Sequence, residues 1–228
     1  RESDTALAQA RLSAEKIDVS APPFTTRLSG RLDVSGAGSS MAELVASLAG
    51  GGRFSFDDAR IAAASPDALA KVVQDSEASE SALEPPAISA RLAAALDGGA
   101  QALPPFESEA TIATGRLALA PVQMRVDALS ARLSGLFDLR NAALDVRETL
   151  TLPQPPGFGS APRIALSWSG TPTGMRRTVD PDALIATLAE RAIVREGERN
   201  AALEADIHER AFFNKRLKMD RRNAEERR

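Results

Sequence analysis

The sequence predicts an α+β fold: an antiparallel β-sheet with one apolar face, short helices packed at one end of it, and a C-terminal helical segment. Three observations lead to this prediction. Apolar and polar residues alternate in several segments, as in strands that bury one face. Glycine and proline punctuate the helix-like segments before residue 100. The later strand-like segments have short connections, which favour antiparallel pairing because parallel strands need a long crossover.

Strands are predicted wherever apolar and polar side chains alternate. In the segment 25–34, Leu28, Leu32 and Val34 share one face, while arginine, serine and aspartate occupy the other. A proline pair at residues 22–23 precedes this strand, as expected for residues excluded from a central strand. The predicted strands are 11–19, 25–34, 53–57, 106–120, 122–126, 129–140, 143–152 and 163–170.

Helices are predicted from their capping residues. Ser39 or Ser40 caps a helix near Met41, and the run Gly50–Gly52 is predicted to end it. Proline in the first turn opens three further helices. An acidic, exposed loop is expected at 75–84. The predicted helices are 40–49, 66–74, 86–97, 182–195 and 198–227.

These elements divide the chain into a β-rich domain, 1–179, and a charged helical tail, 180–228. In the tail, Leu203, Ile207 and Leu217 recur at helical spacing, with Arg210 and Asn214 between them. This pattern predicts an imperfect coiled-coil-like stripe. From residue 209 onward, the tail has eight basic and four acidic residues, so its end is net basic.

One motif occurs twice. RLSGRLDV at 27–34 shares five of eight residues with RLSGLFDL at 132–139, and both lie in predicted strands. Chance in a chain rich in these residue types is one explanation. The other is a repeated β unit in an extended sheet.

The residues that commonly carry catalysis or bind metals are scarce. The chain has no cysteine, which excludes disulfides, thiolate metal sites and cysteine nucleophiles. The single histidine, His208, is expected on the surface of the charged tail, and Asp57–Asp58 is expected to form a turn or bulge. We therefore expect no catalytic, metal-binding or cofactor-binding residue. The net charge of -3 argues against nucleic acid as a partner.

The apolar face is the remaining candidate for function. The sequence places more strands after residue 105 than helices available to cover them. An incompletely covered apolar face suits acyl chains or another protein. The candidate contact residues are Leu28, Leu32, Val34, Phe54, Phe56, Leu133, Phe137, Leu139, Ile164, Leu166 and Trp168.

The stretch 29–61 resembles the AsmA-like C-terminal region. It reads as a strand, the motif Gly36-Ala-Gly-Ser39, a short helix with Leu44 and Leu48, then Gly50 and a strand ending near Ile61. The second half is similar at the level of pattern, with PFESEATIATGRLAL and then PRIALSWSG before a helix. The resemblance covers about residues 25–195.

The resemblance implies a fragment of a larger Gram-negative envelope protein, anchored in the inner membrane by a helix upstream of Arg1. Such proteins project an extended, curved β-sheet through the periplasm. Their apolar inner face is thought to shield phospholipid acyl chains between the membranes, which supports outer-membrane biogenesis. The family brings no catalytic residues. The alternative is a structural module with a closed core, whose C-terminal helix binds another envelope protein.

Overall fold

The computed structural model describes residues 6–79 and 84–226. They form a long, curved, open antiparallel sheet with short helices and a long C-terminal helix, which confirms the predicted α+β class. The strands are β1 Ala6–Ala21, β2 Phe24–Gly38, β3 Ala49–Ile61, β4 Gln101–Ala102, β5 Phe106–Ala113, β6 Arg116–Val126, β7 Leu129–Asp138, β8 Ala143–Thr151, β9 Arg163–Gly170 and β10 Arg176–Asp180. The helices are α1 Met41–Ser47, α2 Asp67–Ala78, α3 Pro85–Asp97 and α4 Asp182–Glu226.

Sheet order follows chain order. The strands run β1-β2-β3-β5-β6-β7-β8-β9-β10, and the two-residue strand β4 pairs with the end of β3. All neighbouring pairs are antiparallel. The connections have five residues or fewer, with three exceptions: α1 lies between β2 and β3, α2 and α3 lie between β3 and β4, and residues 152–162 join β8 to β9. Short connections leave antiparallel pairing as the only option for most of these strands.

The strand register collects the apolar residues on one face. Leu28 of β2 lies opposite Phe56 of β3, and Leu133 of β7 lies opposite Val122 of β6. In β8 and β9, Val146 lies opposite Trp168. Side chains in a strand alternate between the two faces of the sheet. These pairs therefore place the even-numbered residues of β2 and the odd-numbered residues of β7 on the same face.

Helices cover only part of this face. Helices α2 and α3 and the start of α4 bury a large core against the later strands. A second, smaller cluster lies near α1, where Leu32, Ala110 and Ile112 are buried and Leu48 packs on them. The most deeply buried large side chains of the main core are Ile61, Leu69, Leu92, Leu96, Leu129, Leu150, Ile164, Leu166, Trp168, Leu184 and Leu188.

The predicted cap of α1 is present. The Ser40 hydroxyl accepts a hydrogen bond from the Glu43 backbone N–H at 3.2 Å. The Glu43 carboxylate accepts from the backbone N–H of Ser39 at 2.8 Å and from its hydroxyl at 2.5 Å. These donors lower the pKa of Glu43. Together they satisfy N–H groups at and just before the helix N-terminus, which have no partner within the helix.

The prediction that the glycine run Gly50–Gly52 ends α1 is wrong. The run lies within β3. The helix ends earlier, at Ser47. A Cβ on Gly52 would collide with the carbonyl oxygen of Arg31 on β2. Glycine is therefore needed here because two strand backbones approach closely. The prediction was wrong because glycines that end a helix look the same in the sequence as glycines within such a strand.

The predicted single strand 106–120 is a hairpin. Strand β5 ends at Ala113, and β6 begins at Arg116 and includes the predicted 122–126. Thr114 and Gly115 both have positive φ, 50° and 71°, as in the two-residue turns that match strand twist. The apolar positions change from even numbers in β5, ending at Ile112, to odd numbers in β6, beginning at Leu117, and this change of phase marks the turn that the prediction missed.

Three further boundaries differ from the prediction. Helix α2 continues to Ala78, so part of the predicted loop 75–84 is helical; residues 80–83 lie outside the described chain. The two predicted helices of the tail are one helix, α4, because an exposed Gly197 lowers helix stability by only about 1 kcal/mol relative to alanine. Strands β4 and β10 were not predicted, since both are too short to show alternation.

The repeated motif marks two equivalent hairpins. In β1–β2 and in β6–β7, a β-bulge interrupts pairing at the same place, after Ala14 and after Leu119. The cross-strand pairs of the two hairpins correspond at a constant offset of 105 residues: Arg11–Asp33 with Arg116–Asp138, Ala14–Gly30 with Leu119–Gly135, and Ile17–Leu28 with Val122–Leu133. A shared register and bulge favour the repeated unit over chance identity.

Candidate functional site

An apolar groove of about 170 Å³ crosses the middle strands of the apolar face. It lies between the helix-covered core and the smaller cluster near α1, and residues of both clusters border it. Its apolar lining comprises Phe24, Phe56, Ala59, Ile61, Leu103, Phe106, Leu119, Ala120, Val122, Leu133, Gly135, Leu144 and Val146. The groove is therefore formed where neither group of helices covers the sheet.

Aromatic rings form one side of the groove. Phe56 and Phe106 lie opposite each other on β3 and β5, with ring centroids 4.6 Å apart and planes at 12°. Phe24 lines the groove and also meets Trp168 of the core edge-on, at 5.3 Å. Such ring pairs add to the stability that burial alone supplies. They hold this wall in a fixed geometry against the covered core.

The opposite side is formed by aliphatic side chains and a glycine. Gly135 on β7 lies opposite Leu119 on β6, and a Cβ built on Gly135 would make ordinary contact, 3.4 Å, with Leu119. Ser108 also borders the groove, but its hydroxyl donates to the Ala120 carbonyl at 2.9 Å. Its polar group is thereby satisfied within the protein, and the wall stays apolar.

Two of the predicted contact residues, Phe56 and Leu133, line the groove. The others lie on the same side of the molecule but in different surroundings. Leu28 and Phe137 are half-buried outside the groove. The smaller cluster contains Leu32, Val34, Phe54 and Leu139. The main core contains Ile164, Leu166 and Trp168, each 1% exposed, so none of these three is accessible to a ligand in this structure.

Several groove residues were not predicted as contacts. Leu144 and Val146 show the same alternation as the predicted residues, in a segment correctly predicted as a strand. Phe106 begins a strand directly after a proline pair, and Phe24 follows another such pair. The alternation could have placed Phe106, Leu144 and Val146 on the apolar face. Only the register and the helix positions decide which of them line an open groove.

Apolar surface continues from the groove towards the β1 edge. Leu12 lies opposite Leu32, and Ile17 lies opposite Leu28, so both belong to the apolar face. They are 55% and 51% exposed. In the described chain, β1 pairs only with β2, so its other edge carries no neighbouring strand. The exposed apolar surface therefore extends beyond the groove itself.

One carboxyl group lies in the apolar core. Glu148 of β8 is 1% exposed and lies between Leu133 and Leu166 on the apolar face. Its Oε1 accepts a hydrogen bond of 2.7 Å from Nε2 of Gln101, which is also buried. Burial raises the pKa of Glu148 to about 7, and the bond from Gln101 opposes this shift only in part. A core position explains the shift without a catalytic role.

The opposite face of the sheet carries charged pairs. Arg11 bonds to Asp33 at 2.5 Å, and the equivalent Asp138 accepts from Arg140 and Arg116. The hydrogen bonds from Arg140 are the main reason that the pKa of Asp138 lies far below its usual range. The Arg11–Asp33 pair is solvent-exposed and adds little stability, whereas the Asp138 side chain is only 12% exposed beside its more exposed arginine partners. These pairs mark this face as the solvated one.

Within residues 6–79 and 84–226, no group of three or more histidine, cysteine, aspartate or glutamate side chains is arranged to hold a metal ion. The described part of the chain also has no helix with both the length and the apolar character needed to cross a membrane. His208 is exposed on α4, as expected from the sequence. The lining of the groove is almost entirely apolar, so the groove suits apolar groups rather than ions.

Comparison with known proteins returns no relative for this chain. No family model, no curated protein and no solved structure matches it. The likeness to the AsmA-like C-terminal region therefore depends on the motifs in residues 29–61 and on the strand pattern that follows them.

Proposed function

We propose that this chain is a non-catalytic part of an AsmA-like protein of the Gram-negative envelope. It lies in the periplasm, tethered to the inner membrane by a preceding segment, and supports outer-membrane biogenesis by carrying phospholipid between the membranes. The observation that carries this proposal is the apolar groove bordered by Phe56, Phe106 and Leu133 and left uncovered by the helices.

The physical basis is the burial of acyl chains. Each methylene that leaves water for an apolar surface gains about 0.8 kcal/mol. A groove of about 170 Å³ accepts only part of an acyl chain, so the gain is limited and is further reduced by immobilising the lipid. Weak, reversible contact of this kind suits passage along a surface better than storage.

The helix-covered core refines which residues contact lipid. Trp168, Leu166 and Ile164 hold the sheet against α4 and the other core helices, and they act as scaffold. The lipid path then follows the groove and the exposed apolar residues Leu12 and Ile17 of β1. This assigns lipid contact to the uncovered middle and β1 side of the sheet.

The alternative, a structural module with a closed core, accounts less well for the groove. A module of that kind has no need of an uncovered apolar surface between two packed clusters. Its second element, a partner-binding C-terminal helix, is compatible with lipid contact. The two ideas therefore compete only over the sheet.

Filling the groove tests lipid contact directly. Gly135→Trp projects a large side chain from the groove floor, whereas Leu136→Trp adds the same side chain on the opposite face of the same strand. The chain, exported to the periplasm of a Gram-negative host, is exposed to a photoactivatable phospholipid, and cross-linked lipid is measured by mass spectrometry. We expect roughly a tenfold loss for Gly135→Trp and no loss for Leu136→Trp.

Circular dichroism of both variants verifies that each is folded. Equal cross-linking in the two tryptophan variants would contradict a role for the groove. Absence of cross-linking in the unaltered chain would remove the proposal altogether. Location is tested separately on the full-length gene product, which we expect in the inner-membrane fraction and accessible to protease in spheroplasts.

A further inference from the structure

Helix α4 begins inside the folded domain and then leaves it. Leu184 and Leu188 are buried in the main core. Arg191 pairs with Glu77 of α2 at 3.3 Å, and Arg195 donates to the Glu77 carbonyl at 2.8 Å. From residue 196 onward, every residue of α4 whose exposure is described is exposed. The outer part of the helix therefore has no covering surface within the described chain.

This outer part carries large apolar side chains in water. Leu203, Ile207, Phe213 and Leu217 are 52–64% exposed. At about 3.6 residues per turn, Leu203, Ile207 and Leu217 lie on one side of the helix, and Phe213 borders them. A long helix that exposes such a stripe is typical of helices that pair with another helix.

The charges of the same segment are separated along its length. Residues 196–209 contain five acidic residues and one arginine. Residues 210–219 contain four basic residues and no acidic one. The only ion pair described between the two halves joins Arg210 to Asp206 at 2.8 Å, one turn apart at the boundary. Glu198 also pairs with Arg191 at 3.4 Å, and among the described side chains the other charges of the two segments have no ion pair.

The spacing of the apolar residues is symmetric about the charge boundary. Leu203 and Leu217 lie seven residues before and after Arg210, and Ile207 and Phe213 lie three before and after it. A two-fold axis through residue 210 superposes each residue of these pairs on its counterpart. The same axis places the acidic half of one helix beside the basic half of another.

We propose that the outer part of α4 packs antiparallel against α4 of a second copy of this chain. Residues 201–209 of each copy, in the acidic segment, face residues 211–219 of the other, in the basic segment, and the four apolar residues form the seam. Parallel pairing would instead set like charges side by side, which is unfavourable. This pairing is independent of lipid contact on the sheet.

The charge pattern also favours a second copy of the chain over other binding partners of the helix. An anionic membrane or a nucleic acid attracts the basic segment but repels the acidic one next to it. A second copy satisfies both segments at once. Arg210 and Asn214 interrupt the apolar seam, and polar residues at such positions fix register at the expense of stability. The dimer is therefore expected to depend on concentration and salt.

Charge reversal tests this pairing in the whole chain by sedimentation equilibrium. Lys215→Glu, Arg216→Glu and Lys218→Glu together place acidic residues on both halves, and we expect them to weaken the dimer at least about tenfold at low salt. Adding Glu204→Lys, Asp206→Lys and Glu209→Lys to that chain restores opposite charges in an antiparallel pair, so the dimer returns. A monomeric unaltered chain, or a triple variant that dimerises normally, would overturn the proposal.

Orientation is tested by cross-linking, since the chain contains no cysteine of its own. Leu203→Cys and Leu217→Cys variants are oxidised separately and as a mixture. Antiparallel pairing predicts disulfides between positions 203 and 217 at least about five times faster than within either variant alone. Faster 203–203 and 217–217 disulfides would indicate parallel helices and overturn the proposal. A chain ending at residue 200 that still dimerises would overturn it as well.

Discussion

Gln101 Nε2 lies 2.7 Å from Glu148 Oε1 inside the apolar core. The remaining oxygen of each side chain, Oε1 of Gln101 and Oε2 of Glu148, has no hydrogen-bond partner in the described chain. Both are acceptors when the carboxyl is ionised, so neither can satisfy the other. A proton on Glu148 supplies the missing donor. The pair is therefore best matched to a neutral carboxylic acid.

Stability should consequently fall as the pH rises. The pKa of Glu148 is about 7 in the folded chain, against an ordinary value of 4.5. Between pH 4.5 and pH 7, Glu148 holds a proton in the folded chain that it has lost in the unfolded chain. Its contribution to the free energy of unfolding is therefore complete below about pH 4.5 and is lost as the pH rises through 7. The loss is about 3 kcal/mol. Urea unfolding at pH 5 to 8.5 measures it.

Glu148→Gln is the matched control for this dependence. An amide cannot ionise and can still bond to Gln101, so we expect a nearly flat stability between pH 5 and 8.5. At pH 8.5 the variant should be more stable than the unaltered chain. An equal decline in both chains would show that other groups cause the pH dependence.

The two repeat glycines, Gly30 and Gly135, should respond differently to substitution. A Cβ on Gly30 meets the Phe54 ring and is 2.6 Å from the Arg53 carbonyl oxygen, whereas on Gly135 it makes ordinary contact with Leu119. Gly30→Ala is expected to destabilise by about 1–3 kcal/mol because the backbone must shift. Gly135→Ala should be neutral or stabilise by about 0.5 kcal/mol. Thermal unfolding distinguishes these outcomes, and equal effects would contradict the strand positions.

Replacing Arg195 should lower the free energy of unfolding more than replacing a surface arginine does. Its guanidinium donates to the Glu77 carbonyl at 2.8 Å and approaches the Ser76 and Ser79 carbonyls at 3.5 and 3.4 Å, at the C-terminus of α2. A positive charge there complements the helix dipole and satisfies terminal carbonyls. Arg195→Ala should destabilise by about 1–2 kcal/mol. Arg199→Ala, on the exposed part of α4, is the control and should have almost no effect in chemical unfolding.

The inner and outer parts of α4 should differ in their effect on folding. Leu188 is 1% exposed in the core, and Leu188→Ala should destabilise by about 2–4 kcal/mol. Leu203 is 55% exposed, and Leu203→Ala should leave the domain's unfolding midpoint almost unchanged at concentrations where the chain is monomeric. Differential scanning calorimetry of dilute samples measures both. A large effect of Leu203→Ala would mean that the outer helix contacts the domain.

The alternation of single strands was readable from the sequence. Alternation predicted the α+β class, most strands and the one apolar face, and the capping residues predicted the start of α1. Both signals act over a few residues. Alternation also led to Phe56 and Leu133, which line the groove. The paired RLSG motifs pointed to the repeat. These features depend on neighbours in the chain, which the sequence records directly.

The tertiary structure decided which part of that face is covered. Trp168 and Phe56 have the same period-two pattern, yet one is sealed in the core and the other borders an open groove. That difference arises from where α2, α3 and α4 pack, which involves residues far apart in sequence. The same applies to Glu148, whose raised pKa follows from burial beside Gln101. Cross-strand register and helix packing therefore determine which apolar side chains are buried and which line the groove, and local alternation does not.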